Sequence, residues 1–421
     1  MSVKQILAIG LIFLGLFAAW MILGVTDSLR TKESTGKMSA EVNNLFGGRQ
    51  CISSPGFYYY EKKLRPMLNV NGLPVTNAQG AVIKEWRDEP VSIALASSDI
   101  TADFHMDPRK KGLLWFPTYR VRYAAHYTAR NTTSYGRQVY AKIPLGSSDV
   151  VYDAMRITVN GAVKEGYTEV LCAHIPADGI MDVSLSYTTT GTGEWFYLLN
   201  PQSSSAEEIK NFSLVMTTDF KDIDFPNGGY LSPVKKEATS TGWKLFWTYS
   251  SAVTGKNIGL SMPEKQTPGE IASRITFFAP VPMLFYFFIL VILSVIMKVR
   301  LHPMNYFFIG AAFFAFNLIL SYFSDQMPIG LAFAIASVVS IVLVSSYLRI
   351  FTTTLFAFVF SPLAQIVYLI TFSFSFFFKG TTGFMLTIVS VITLFVLMQL
   401  TGKIDWGMVF SRPSGPSGTS E

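Results

Sequence analysis

The sequence predicts a multi-pass α-helical membrane protein with six spans and a large, mainly β, sandwich-like extracytoplasmic domain between spans 1 and 2. Two observations predict this fold class. Half of the 421 residues are hydrophobic and 15% are charged, whereas soluble domains carry about 25% charged residues. The charges are also unevenly spread, because 27 of 34 Lys and Arg and 24 of 28 Asp and Glu lie between Arg30 and Arg274. A water-soluble domain is therefore set between membrane segments.

The N-terminal region predicts a short cytoplasmic end, residues 1–5, and a signal-anchor helix over 6–25. The uncharged run 6–25 has the ~20 residues that a hydrocarbon core of about 30 Å requires. A cleaved signal peptide would have a shorter apolar run and a small-x-small cleavage site, and neither is evident. Residues 37–46 are expected to extend this span as a short helical stalk.

Residues 26–274 are predicted to form the β domain, because apolar and polar residues alternate with period two in several segments. The alternation is clear around Val121, Val183 and Leu214. Asn160-Gly161 is typical of a type I′ hairpin turn. Pro and Gly interrupt the pattern at short intervals, which favours a sandwich or distorted barrel over βαβ units. We find no internal repeat.

The rest of the chain is predicted to form a five-helix transmembrane bundle over 275–401 and a flexible cytoplasmic tail over 402–421, rich in Ser, Gly and Pro. Pro362 lies inside the fifth span and predicts a tilt or kink there. The predicted spans of the bundle are 275–297, 304–323, 329–348, 353–378 and 384–400.

The orientation follows from Lys and Arg in the short loops. With the N-terminus inside, six of these basic residues lie on the cytoplasmic side and one on the outer side. Both termini are therefore expected in the cytoplasm and the large domain outside.

The sequence contains no recognisable catalytic motif. A P-loop, a dinucleotide fingerprint, a zincin helix and a nucleophile elbow are all missing. The four histidines are scattered, without metal-ligand spacing, and no Lys/Arg-rich run indicates nucleic acid. We therefore expect no enzyme activity, no catalytic, cofactor-binding or metal site, no cofactor and no nucleic-acid partner.

The interiors of the six predicted spans contain no Asp, Glu, Lys, Arg or His. Such residues usually mark proton relays, ion pathways or intramembrane catalysis. Their absence disfavours a proton-coupled transporter and an intramembrane protease. Asn317 and Gln365 are expected to make interhelical hydrogen bonds, with a substrate-binding role as the alternative.

A Gly-rich turn beside large aromatic residues is the candidate contact for a partner or ligand. Such a turn presents backbone groups and an apolar surface together on a rigid β scaffold. The alternative is a tight turn followed by a core strand. The candidate residues are Pro226, Asn227, Gly228, Gly229, Tyr230 and Trp243.

Arg300 and His302 are a second candidate contact, in the cytoplasmic loop before the third span. The alternative is that they only anchor the helix by the positive-inside rule.

Cys51 and Cys172 both fall in the outer domain, where disulfides can persist. A single disulfide and two separate thiols, with Cys172 buried and inert, are both open.

Several motifs occur in an order that resembles the CreD family of bacterial inner-membrane proteins, over most of the chain. The most specific is Arg300-Leu-His-Pro-Met-Asn-Tyr306, and the others are Gly47-Gly48-Arg49-Gln50 with Pro55 and Tyr58, Arg109-Lys-Lys-Gly112, and Asp224-Phe-Pro-Asn-Gly-Gly-Tyr-Leu-Ser-Pro233 with Gly242-Trp243. Two loops depart from the family. Ser324-Asp325-Gln326 replaces a Ser-Glu-His pattern, and the loop 379–383 lacks the acidic residues of relatives. A His-based role and a cation site therefore do not transfer.

The resemblance implies a protein of the bacterial inner (cytoplasmic) membrane that acts in the envelope-stress response. We therefore expect a non-enzymatic protein that supports cell-envelope integrity. Besides the lipid bilayer, its periplasmic domain would engage an envelope component, either a protein or a cell-wall component. The alternative is a facilitative transporter or export channel formed by the five C-terminal helices. A stress sensor is a third hypothesis, weakened by the lack of a cytoplasmic signalling domain.

Overall fold

A computed structural model of the chain describes residues 3–77, 79–147, 149–199, 206–299, 301–378, 380 and 382–402. The chain divides into two compact units. The helical unit comprises Met1–Lys37, Gly112–Leu114 and Gln266–Glu421, and the β unit comprises Met38–Lys111 and Trp115–Lys265. Arg300 and nearly all of the predicted tail, 403–421, lie outside the described residues.

A single helix, α1, runs over Val3–Phe46 and joins the predicted signal anchor to the predicted stalk. Proline is absent from this stretch of sequence, so nothing interrupts the backbone hydrogen bonds. The helix ends where Gly47 takes a left-handed conformation with a φ of 83°, a common way for a glycine to stop a helix.

The predicted second span is two helices, α2 over Pro268–Phe278 and α3 over Pro280–Ile296, bent by 45°. α2 begins before the predicted span because Thr267 and Glu270 form a capping box, in which Glu270 N donates to Thr267 Oγ1. The break follows from Pro280, which has no N–H with which to continue the helical ladder.

Four further helical stretches follow: α4 over Pro303–Phe323, α5 over Ile329–Arg349, a helix over Phe356–Phe377 and a last helix over Thr382–Thr401. Within the described residues, five helices are long and apolar enough to cross a membrane, and the bent pair would be a sixth. Several apolar helices of spanning length are therefore present, and the count of six spans stays a prediction.

Two π-helical segments, Phe356–Phe360 and Ile366–Thr371, flank the α-helical turn that holds Pro362. A proline removes one backbone donor from the helix, and wider π turns are one way to absorb that loss. The described helix therefore has widened turns on both sides of Pro362, and the tilt or kink stays a prediction.

The described residues of the β unit form seventeen strands. In chain order they are β1 Gln50–Ser53, β2 Gly56–Pro66, β3 Lys84–Ile93, β4 Leu95–Met106, β5 Arg109–Lys111, β6 Leu114–Phe116, β7 Thr118–Arg130, β8 Arg137–Lys142, β9 Asp153–Val159, β10 Ala162–Lys164, β11 Val170–Ile175, β12 Ile180–Thr192, β13 Glu194–Leu198, β14 Glu207–Thr218, β15 Lys235–Ala238, β16 Trp243–Thr254 and β17 Ile258–Ser261.

The strands form an eight-stranded sheet with the order β10-β9-β12-β7-β4-β14-β16-β15, a four-stranded sheet β11-β8-β2-β3, a three-stranded sheet β1-β13-β17 and the pair β5-β6. In the three larger sheets the neighbours are antiparallel, apart from the parallel pairs β4–β14 and β1–β13. Buried residues of all three contribute to one hydrophobic core.

The predicted alternation is confirmed in β7, β12 and β14, whose buried and more exposed residues follow one another with period two. Asn160 and Gly161, with φ of 50° and 80°, connect β9 and β10, as a type I′ turn requires. A large β-rich unit is therefore present, and its sandwich topology stays a prediction.

Candidate functional sites

The Gly-rich turn predicted as a contact lies at the surface of the β unit. Asn227, Gly228 and Gly229 are exposed, and the two glycines have left-handed φ values of 119° and 84°. Pro226 is buried, and a Cβ on Gly259 would come within 2.9 Å of its ring. Pro226 therefore anchors the turn, and the other three residues are presented to solvent.

Tyr230 joins a stack that includes Arg49, a residue far away in sequence. The ring centre of Tyr230 lies 5.2 Å from that of Phe196. The Arg49 guanidinium lies 5.0 Å from the same Phe196 ring, and its Nη1 is 3.3 Å from Glu194 Oε2. The exposed Arg49 cation therefore lies over one aromatic ring and beside a carboxylate, next to Tyr230 and the turn.

Trp243 has its contacts on other segments of the β unit. Its Nε1 donates to Lys221 O at 2.8 Å, and Lys236 Nζ lies 3.7 Å above its ring. Trp247 is fully buried, and its Nε1 donates to Leu231 O at 3.0 Å. Trp247 therefore holds the segment that follows the turn, whereas Trp243 packs at the edge of the core.

His302 is the N-cap of α4, and its Nδ1 accepts a hydrogen bond from Met304 N at 3.3 Å. A cap satisfies a backbone donor that the first helical turn leaves without a partner. This structural role accounts for His302 in the loop.

Cys51 and Cys172 are free thiols on strands of different sheets, β1 and β11. Cys172 is exposed, so the burial proposed for it is wrong: this position of β11 lies at the surface. Cys51 is half-buried, and burial raises the pKa of its thiol above the usual range.

A maleimide reagent is expected to modify Cys172 quickly and Cys51 slowly at about pH 7.5, because the thiolate is the reactive form and is scarce when the pKa is raised. The Cys51 rate should increase as the pH rises toward that raised pKa. Mass spectrometry of the folded chain measures both rates, and Cys172→Ser should remove the fast phase. If neither residue reacts until a reductant is added, the two are joined in a disulfide.

A hydrogen-bonded chain of Ser184, His126 and Asp182 lies on the accessible face of the eight-stranded sheet. His126 Nδ1 is 3.0 Å from Ser184 Oγ, and Nε2 is 3.1 Å from Asp182 Oδ2. These residue types also occur in acyl-transfer triads. However, β12 pairs with β7 on one side and β9 on the other, so the backbone N–H groups around Ser184 are engaged rather than free to hold an oxyanion.

The sequence could not pair these residues, because Ser184 faces His126 only through the register of β7 and β12. Throughout the described ranges, no three side chains among His, Cys, Asp and Glu gather as a metal site.

An ion pair between the buried Asp27 and the partly exposed Arg30 contributes to the contact of α1 with α4 in the helical unit. Asp27 is only 2% exposed, although it lies just beyond the predicted first span. Ser321 Oγ donates to Asp27 Oδ1, and Arg30 Nη2 lies 3.3 Å from the same oxygen. Arg30 also donates to Ser321 O at 3.0 Å and lies 3.3 Å from Asp325 Oδ2. The predicted span ranges hold no Asp, Glu, Lys, Arg or His, but α1 continues beyond the first span and buries Asp27 in its next turn.

The buried amides of the bundle differ from each other. Gln365 Nε2 donates to Ser340 Oγ at 2.7 Å, and Ser340 Oγ donates to Ala312 O at 3.0 Å. These bonds connect three helices and confirm the interhelical bonding predicted for Gln365. Asn317 Nδ2 instead donates to Phe313 O, at 3.3 Å, one turn back in its own helix.

A long hairpin of β2 and β3 extends beyond the four-stranded sheet. The two strands pair from Phe57 and Ile93 to Pro66 and Lys84, whereas β8 pairs with β2 only over Gly56–Tyr58. The remaining two-stranded part, which we call the arm, comprises residues 59–91.

The arm ends in a tip, residues 67–83, which forms the same turn twice. The Asn69 Oδ1 atom accepts hydrogen bonds from the backbone N–H groups two and four residues further on, and Asn77 Oδ1 does the same. Gly72 and Gly80 close the turns with φ of 75° and 80°. The Asn-x-x-Gly spacing that produces the turn recurs after eight residues, as Asn69 to Gly72 and Asn77 to Gly80.

The tip is apolar and uncharged. Residues 67–83 contain no Asp, Glu, Lys, Arg or His. Its exposed large apolar side chains are Met67, Leu68, Val70, Leu73, Val82 and Ile83. Several exposed apolar side chains within one short uncharged segment are typical of an interaction site. The signal for it in the sequence was a long uncharged run inside an otherwise charged domain.

Comparison with known proteins covers the C-terminal part of the chain best. The model of a family described as inner membrane protein CreD matches residues 228–407. This match takes in the end of the β unit and the helices that follow it. No curated protein matches the chain.

One solved structure, of a candidate nutrient-binding protein from Legionella pneumophila, is 12% identical and has a TM-score of 0.30. The match covers 44% of this chain and 70% of the other. A likeness of this size supports no conclusion about fold or function. The family match confirms the resemblance inferred from the residues over 228–407, where the chain is similar to the CreD family of inner membrane proteins.

Proposed function

We propose that this protein supports cell-envelope integrity without catalysing a reaction, and that its β unit engages an envelope component through the arm tip. The observation that carries the proposal is the exposed, uncharged apolar surface of residues 67–83. Burial of apolar surface away from water lowers the free energy, so an envelope component that covers the tip would bind there. The resemblance to the CreD family, which implies a role in envelope stress, supports the proposed role in cell-envelope integrity.

The exposed turn with Tyr230, stacked through Phe196 on Arg49, is proposed as a second contact on the same unit. Its cationic and aromatic surface differs in chemistry from the tip. It would therefore suit a polar or aromatic group of the same envelope component rather than an apolar one.

We infer that the β unit lies in the periplasm and that both termini are cytoplasmic. The bias of Lys and Arg among the short loops supports this orientation. Alkaline phosphatase fused after Pro268 is expected to be active, and the same enzyme fused after Arg349 inactive. The reverse pattern would contradict the orientation.

The tip can be removed without changing the strands that carry it. Pro66 and Lys84 form the last pair of the β2–β3 ladder, so an Asn-Gly type I′ turn can replace residues 67–83. Cells that carry this variant are expected to lose protection against envelope stress. The amount of protein and its melting temperature should stay native, because the core lies elsewhere. Full protection by the shortened chain at native abundance would refute the proposed contact.

A further inference from the structure

We propose that the component bound by the arm tip is a lipid bilayer, into whose surface the tip inserts. This inference rests on the proposed function, because it names the body that covers the same surface. Three features of the arm favour a bilayer over a protein groove: the distribution of charge, the side chains just below the tip, and the hydrogen bonding of the tip backbone.

Charge changes abruptly along the arm. The tip is uncharged, whereas the strands below it carry charges of both signs, with Lys84 at the last ladder pair and Arg65 and Glu85 at the next one. Lys84 is exposed, and Arg65 is engaged by Glu89 in a two-bond ion pair. An apolar end bordered by charged side chains, with the exposed Lys84 cation nearest to it, fits a segment that lies in a membrane interface, where cations stay at the head groups.

Trp86 lies at the level that an interfacial anchor would occupy. It pairs with Leu64 two ladder positions below Pro66, which is roughly 7 Å along the strand. Both side chains are exposed, Trp86 by 68%. Tryptophan is enriched at the head-group level of membranes, because its ring is amphipathic.

The backbone of the tip is largely hydrogen-bonded within itself. Asn69 and Asn77 each satisfy two N–H groups with their side chains. Further N–H groups donate to tip carbonyls, namely those of Met67, Asn69, Gly72, Val75, Asn77, Gly80 and Ile83. Satisfied backbone groups are what entry into lipid demands, since lipid offers no partners. A partner that adds a strand would instead require free backbone groups.

The amide side chains of the tip set the depth. Asn69, Asn71 and Gln79 are exposed, and such groups prefer the hydrated head groups to the hydrocarbon. The apolar residues Val70 and Leu73 are fully or largely exposed in the first turn. The tip therefore suits shallow insertion, with these two residues deepest.

The test uses the full chain in nanodiscs, with Cys51→Ala and Cys172→Ser so that one new cysteine carries a polarity-sensitive fluorophore. The fluorophore is placed at Val70→Cys, and at Val163→Cys as the matched control, because Val163 is exposed on a different hairpin of the same unit. The lipids are equal parts of phosphatidylethanolamine and phosphatidylglycerol. In a first experiment the nanodisc lipids carry an acyl-chain quencher, and in a second the quencher is in added vesicles.

The Val70 fluorophore is expected to shift its emission to the blue and to lose intensity in at least one of the two quenching experiments, and Leu73→Asp should reverse both effects. Quenching from the nanodisc would mean that the tip inserts into its own membrane, and quenching from the vesicles that it inserts into a facing one. Val70 emission that matches the Val163 control in both quenching experiments would overturn the proposal.

If excision of the tip still abolished protection in that case, the partner would be a protein, and the proposed function would stand. If quenching occurred but excision left protection intact, the proposed function would fall and the bilayer contact would remain.

Discussion

Arg30→Met is expected to destabilise the helical unit by about 2–3 kcal/mol, because it leaves a buried carboxylate without its cation; the partial exposure of Arg30 keeps the loss below that of a fully buried pair. Asp27 is 2% exposed and shares its Oδ1 between Ser321 and Arg30. Methionine keeps much of the arginine stem but supplies no donor. The loss of helical circular dichroism on heating the purified full chain measures the effect as a lower melting temperature.

The matched double variant separates the ion pair from simple packing. Asp27→Leu together with Arg30→Met removes both charges, and apolar side chains that replace a whole buried pair are often neutral for stability. The double variant should therefore melt well above Arg30→Met alone. Lys37→Met, on the exposed part of the same helix, should not differ measurably from the native chain. A native melting temperature for Arg30→Met would contradict the role given to the pair.

Gly47→Ala is expected to destabilise the β unit by about 2–4 kcal/mol, from a left-handed backbone and an overfilled site. Gly47 has a φ of 83°, and a Cβ there would come within 2.1 Å of Val150 Cγ1. The same residue connects the end of α1 to the sheet, since Thr192 Oγ1 donates to Gly47 O at 2.8 Å. Tryptophan fluorescence during thermal unfolding of the full chain follows this unit through the buried Trp195 and Trp247.

Gly48→Ala is the control for that substitution. A Cβ on Gly48 would meet its nearest neighbour, Asn43, at an ordinary 3.8 Å, and its φ is not left-handed. Its effect is expected to stay within about 0.5 kcal/mol. Equal melting temperatures for the two alanine variants would show that neither the φ nor the close approach at Gly47 matters.

Local patterns predicted the regular parts of this fold. The alternation in β7, β12 and β14 and the Asn160-Gly161 turn depend on neighbouring residues, and the structure has them as predicted. Hydropathy located the apolar helices for the same reason. It did not predict the break after Phe278, although Pro280 and the Thr267 capping box were visible signals for it.

Contacts between segments that are distant in sequence could not be predicted, because they depend on the tertiary fold. Asp27 meets Ser321 only because α1 packs on α4. The predicted first span ended at residue 25, so Asp27 was assigned to the soluble domain and not to a buried contact between helices. Arg49 and Tyr230 share a ring contact through Phe196 on β13, which no spacing in the sequence reveals. The arm tip was different, because its repeated Asn-x-x-Gly turns and its lack of charge were present in the sequence and were missed.

The most direct test of the central claim, that the β unit carries the specific interaction, is a chimera in which an unrelated β domain replaces residues 38–265 and the helices are kept. Survival under envelope stress is measured in cells with matched amounts of chimera and native chain in the membrane. We predict that the chimera gives no protection, because the arm tip and the Arg49 stack are both lost. A chimera that protects as well as the native chain would contradict this account, place the activity in the helices and favour a channel or facilitative transporter.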